Sequence, residues 1–128
     1  MKLLLDTHTF IWWDSDPAKL SPQALALCQD RANVVLLSVV SVWEMQIKRQ
    51  LGKLQLHLPL ADMIASQQQT NQLVVLPVNL AHVLALESLP AHHKDPFDRL
   101  LIAQAREEDA VLVSSDPVFA RYQIEVLW

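Results

Sequence analysis

Four acidic residues stand where a carboxylate can do chemistry. Asp6 closes a short apolar run, Glu44 lies in the helical segment after a second run, Asp98 follows Asp95-Pro96, and Asp116 follows Ser114-Ser115 at the end of another run. Carboxylates are hard oxygen donors. Mg²⁺ or Mn²⁺ takes a few of them and keeps several waters. Such a cation activates water and neutralises charge on a phosphoryl group, so the protein needs no nucleophilic side chain of its own. None is evident: there is no Ser-His-Asp arrangement and no glycine-rich phosphate loop, Gly52 being the only glycine.

Each acid also has a purely structural reading. Asp95 and Asp116 precede prolines, as N-cap residues do, and Asp98 suits the first turn of a helix through the helix dipole. Ser41-Val42-Trp43-Glu44 has the spacing of a capping box, and Glu44 can pair with Lys48 four residues on. Lys48, Arg49 and Lys53 then form a small basic group that could steer phosphate, although its default is a solvated helix end. Asp6, closing an apolar strand and followed by Thr7-His8-Thr9, is hardest to assign to structure alone.

The elements that must position these acids are legible as alternating runs. Lys2 to Leu5, Val34 to Leu37, Leu73 to Leu76 and Ala110 to Val113 are apolar without polar alternation, and Ile124 to Leu127 suits an edge strand. Runs of this kind predict strands covered on both faces. Between them Ser21-Pro22 opens a helix carrying Leu25 and Cys28. Val40, Trp43, Ile47 and Leu51 keep helical spacing up to Gly52, a C-terminal stop. Pro59 opens a helix towards Thr70, Asn79 one through Val83 and Leu86, and Asp95-Pro96 one with a stripe of Phe97, Leu101 and Ala105. The block Phe10-Ile11-Trp12-Trp13 reads as core or dimer contact. This alternation predicts an α/β fold with a mostly parallel sheet of four to five strands flanked by helices. In such sheets ligands bind beyond the carboxyl ends of the strands, where strand order reverses, and all four acids can meet there.

The 128 residues suit one domain, and 52% apolar against 19% charged residues supply a core without crosslinks. A single cysteine, Cys28, excludes an internal disulfide, and no stretch reads as a signal peptide or membrane span. The expectation is a cytoplasmic protein. Its net charge of −4 is unlike that of a nucleic-acid binder, but a four-carboxylate metal site accounts for the deficit, and bound divalent cations reverse it locally.

Four segments together resemble the PIN-domain family, and especially the toxin component of VapBC-type toxin–antitoxin pairs. They are Leu4-Leu5-Asp6-Thr7-His8-Thr9-Phe10-Ile11-Trp12-Trp13, Ser38 through Lys48 with Trp43-Glu44, His93 through Ala105 with Asp95-Pro96-Phe97-Asp98-Arg99, and Leu112-Val113-Ser114-Ser115-Asp116. The resemblance covers nearly the whole chain. It implies a PIN-like three-layer sandwich over residues 1–128 and a Mg²⁺- or Mn²⁺-dependent endoribonuclease. It also implies an RNA substrate, a cognate antitoxin and a homodimer. Asp6 and Asp98 would be metal ligands, Asp116 would bind directly or through water, and Glu44 would orient a ligand water or help activate the attacking one. Ser114, where the family often has threonine, would support Asp6 by hydrogen bonding. Asp95 remains an N-cap in this reading, and His8, His92 and His93 are neighbours of the site rather than ligands.

Two other classes compete. A haloacid-dehalogenase-type phosphatase would need an aspartate at position 8, where His8 stands, and a response-regulator receiver would need one where Pro77-Val78 stand. A non-enzymatic binding module, its acids merely capping helices, is the remaining alternative.

Overall fold

The computed structural model describes residues 1–92 and 94–128. Its sheet has the order β3-β2-β1-β4-β5, over Val74–Leu76, Val34–Ser38, Lys2–Leu5, Val111–Val113 and Val126–Leu127, and every pairing is parallel. The apolar runs thus form the strands expected of them. Ala110 and Leu73, at the ends of those runs, lie just outside the strands, and β5 is only two residues long.

Side chains alternate across the sheet with a period of two. Leu3, Leu5, Val35, Leu37, Val111 and Val113 face one core with Phe10, Trp13, Met45 and Met63, while Leu4, Leu36 and Leu112 face another with Leu101, Ile102, Phe119 and Tyr122. The first core is covered by α1 (Thr7–Ser15), α2 (Pro22–Gln29), α3 (Val39–Gln50) and α4 (Leu60–Asn71). Against the second lie α6 (Pro96–Glu107), the segment after α5 (Leu80–Leu84), and a 3₁₀ turn over Pro117–Arg121. Burial on both faces is what polar-free strands demand, and it yields the three-layer arrangement.

The helix ends follow local chemistry. Ser21 caps α2 ahead of Pro22, and Asn79 caps α5 reciprocally with His82. Gly52, at φ 72°, closes α3: its N–H reaches the Arg49 carbonyl and the Lys53 N–H reaches that of Lys48. This left-handed position favours glycine. Two features differ from the sequence reading. The capping box at Ser41 does not form, because the Ser38 hydroxyl accepts from the Val40 N–H and α3 starts three residues earlier. Ser41 is instead buried in the first turn of the helix. The block Phe10 to Trp13 belongs to a helix, α1, that begins directly after Asp6; Phe10 and Trp13 enter the core, while Ile11 and Trp12 are half-buried.

Candidate active site

Strand order reverses between β1 and β4. β3, β2 and β1 lie to one side and β4 and β5 to the other, so a crevice opens beyond Leu5 and Val113. A cleft of about 490 Å³ occupies that position, lined by Asp6, Thr7, His8, Trp12, Glu44, Lys48, Asp95, Asp98, Ser115, Asp116 and Phe119. The four acids singled out from the sequence therefore share one cleft, although they come from four separate parts of the chain.

Asp6 is only 8% exposed and is tied from several directions. Its N–H donates to the Val113 carbonyl at 3.2 Å, fastening the end of β1 to β4. Its Oδ1 accepts from the Thr9 N–H at 2.7 Å, capping α1, and its Oδ2 accepts from the Ser114 hydroxyl. The same Ser114 oxygen accepts from the Asp116 N–H at 3.1 Å. One buried hydroxyl thus orients the side chain of one acid and the backbone of another. Thr9 adds a bond from Oγ1 to the Val113 carbonyl at 3.0 Å.

Glu44 is equally constrained. It is 5% exposed, on the inner side of α3, with Oε1 accepting from Thr7 Oγ1 at 2.6 Å and Oε2 lying 2.8 Å from Lys48 Nζ. Asp98 sits in the first turn of α6, half-buried on the cleft wall. Asp95 is the N-cap of that helix, its Oδ1 accepting from the N–H groups of Phe97 and Asp98 at 2.9 and 3.2 Å. Asp116, exposed, caps the 3₁₀ turn through Val118 N–H at 3.0 Å.

The histidines divide. His8 lines the cleft beside Trp12, with ring centroids 5.9 Å apart; His92 packs edge-on against Tyr122; His93 lies outside the described residues. Thr7 is a part of the cleft that sequence reasoning did not assign, and Lys48 one whose default there was a solvated helix end. Thr7 gave no signal beyond its place after Asp6, because its partner lies 37 positions away. Lys48 was visible as a partner of Glu44, but its position inside the cleft was not.

Among the described residues no three His, Cys, Asp or Glu side chains are grouped closely enough to grip a metal ion as they are placed. The donor chemistry nevertheless fits a hard divalent cation. Asp6 and Glu44 are buried carboxyl groups, and a charge held there needs donors or cations beside it, as Lys48 supplies to Glu44. Each of their oxygens keeps acceptor capacity beyond the one bond described. A cation that retains several waters and touches few protein oxygens suits a cleft of this width better than one stripped bare.

Fold and cleft together define a class of α/β protein with carboxylates gathered at the carboxyl edge of a parallel sheet. Residues 3–125 match the PIN domain family, and the chain belongs to it. Among curated relatives, Ribonuclease VapC22 of Mycobacterium tuberculosis (strain ATCC 25618 / H37Rv) is 29% identical over 115 residues, covering 89% of this chain and 86% of the relative. Among solved structures, VapBC2 from Rickettsia felis, bound to a DNA fragment from its promoter, superposes with a TM-score of 0.72 at 15% identity, over 99% of this chain and 98% of that one. DNA-bound VapBC from Salmonella typhimurium gives 0.68 at 16% identity, over 99% and 97%. At these identities the two structures speak for the fold.

Proposed function

We propose that this chain is a divalent-metal-dependent endoribonuclease and the toxin of a type II toxin–antitoxin pair. The observation that carries the reading is the convergence of Asp6, Glu44, Asp98 and Asp116 on one cleft at the switch point of the sheet. The likeness to a protein named as a ribonuclease supports it.

In this reading Asp6 and Asp98 would hold Mg²⁺ or Mn²⁺, with Asp116 contributing directly or through water. When bound, such a cation would supply charge to activate water and to neutralise the phosphodiester. Ser114 keeps Asp6 turned into the cleft, and Thr7 does the same for Glu44. Glu44 would orient a ligand water or help activate the attacking one; its burial and its two bonds hold its side chain in one orientation. Asp95 holds the start of α6, and so the position of Asp98, by accepting the Asp98 N–H.

The partners follow from the same reading: RNA, a cognate antitoxin and a second copy of the chain. Val39 and Trp43 on α3 and Leu80, Val83 and Leu84 on α5 are exposed, with Leu80 at 71%, and supply apolar surface for protein partners. No helix among the described residues is long and apolar enough to cross a membrane.

A second reading has one observation in its favour. Asp6, Asp95 and Asp116 all cap helical turns, which is all a non-enzymatic PIN-like binding module would ask of them. Cleavage of a mixed RNA pool by purified, antitoxin-free protein, with Mn²⁺ and with EDTA, separates the two. Metal-dependent cleavage that vanishes in a folded Asp6→Ala variant is the expected result. Cleavage undiminished in that variant would remove the mechanism, and no metal uptake by calorimetry would favour the binding module.

A further inference from the structure

We propose that Lys48 is the resident cation of the acidic cleft, opposing the divalent metal by its charge from beside Glu44 in the RNA-free protein and contacting the phosphate when RNA enters. The inference rests on the ribonuclease reading and adds a substrate-contacting residue to it.

Lys48 is the one lysine or arginine among the described residues that line the cleft, which it shares with Asp6, Glu44, Asp95, Asp98 and Asp116. Its side chain is 37% exposed, whereas that of Glu44 is 7% exposed, so the ammonium group reaches inward from the rim to a buried carboxylate. The 2.8 Å contact is made four residues along α3, with glutamate on the N-terminal side, the favourable order for such a pair. Arg49 and Lys53, its basic neighbours in sequence, are exposed and do not line the cleft. Thr7 holds the other Glu44 oxygen at 2.6 Å, so Glu44 is pinned and the direction of the Lys48 bond is set.

Two consequences follow from simple electrostatics. An ammonium in the cleft repels a divalent cation approaching the neighbouring carboxylates, so Lys48 weakens metal binding in the absence of RNA. An ammonium also has three N–H donors on a flexible stem. It can leave one on Glu44 and turn the others to a non-bridging phosphate oxygen, helping an anionic substrate into a cleft otherwise lined by acids. Lys48 therefore acts with opposite sign on the two ligands. A residue that merely supports the fold would weaken both when removed.

The test uses the whole chain with Lys48→Met, which keeps the apolar stem, and Lys48→Gln as a second variant should the first not fold. Lys48→Arg tests rescue. Mn²⁺ alone is titrated calorimetrically, and the mixed RNA pool is cleaved at saturating Mn²⁺. The expected result is Mn²⁺ affinity raised about five-fold by loss of the competing charge, with kcat/KM lowered at least about ten-fold by loss of a charge-assisted bond. Lys48→Arg should restore most of the cleavage. Mn²⁺ affinity unchanged or weakened in Lys48→Met, or cleavage at the wild-type rate, would overturn the assignment while leaving the ribonuclease reading standing. Failure of the wild-type chain to take up Mn²⁺ would overturn both.

Discussion

Ser114 donates its hydroxyl proton to Asp6 Oδ2 across 108 positions of sequence and accepts the N–H of Asp116 on the same oxygen. The acid that ends β1 and the acid that follows β4 are therefore set by one side chain, itself 3% exposed. Register makes this possible: Leu5 pairs with Val113, so the next residues of both strands, Asp6 and Ser114, emerge side by side.

Ser114→Ala should lower cleavage by about ten- to a hundred-fold, the usual cost of losing a group that orients a metal ligand. Stability should fall by about 1–3 kcal/mol, since a buried anion loses one donor. Ser114→Thr keeps the donor and should retain most activity. Metal titration and thermal melts of both variants check this, and equal losses in the two would contradict an orienting role.

Thr7→Val removes the 2.6 Å bond to Glu44 with little change in side-chain volume. The expected effect is a kcat reduced about ten-fold, the low end of a general acid–base contribution. Mn²⁺ affinity should change less than in Asp6→Asn. Calorimetry beside single-turnover cleavage distinguishes the two variants; a Thr7→Val protein that cleaves at the wild-type rate would show that Glu44 needs no support from α1.

Asp6 and Asp95 both cap helices, yet their substitution should separate cleanly. Asp6→Asn retains an oxygen acceptor for Thr9 N–H, so folding should be kept while Mn²⁺ uptake and cleavage are lost. Asp95→Ala should cost about 1 kcal/mol of stability through loss of the cap. It should leave metal uptake within a few-fold of wild type. Melting curves and calorimetry on the pair decide it; loss of metal uptake in Asp95→Ala would show that the metal site depends on Asp95, through Asp98 or directly.

Cys28 is buried, and burial pushes its thiol from the ordinary 9.0 up to about 11. The native thiol should resist alkylation at pH 8 and react quickly only once the chain is unfolded. Because the folded state holds the proton more tightly, the contribution is intact below pH 9 and is lost as pH rises towards about 11. Rapid labelling of native protein at pH 8 would show an accessible thiolate instead.

Much of the fold was legible along the chain. The apolar runs marked all five strands. Ser21-Pro22, Asp95-Pro96 and Gly52 marked helix ends, because capping and backbone preference act over only a few residues. The same short reach explains the errors. Ser38 and Ser41 offer similar local caps, and only the point where β2 leaves the sheet decides that Ser38 is used. Helix α1 carries apolar residues on several sides, because Phe10 and Trp13 fill the core while Trp12 lines the cleft, so its spacing shows no single stripe.

For the candidate site, sequence alone determined which residue types were available and that Asp6 and Asp116 would leave neighbouring strand ends if the sheet reversed between them. Tertiary structure decided the rest: the pairing of Ser114 with Asp6, the bond from Thr7 to Glu44, and the turn of Lys48 into the cleft rather than towards water. Those contacts depend on strand register and helix packing. Both are set by burying two separate cores at once, a global condition that no short stretch of residues expresses.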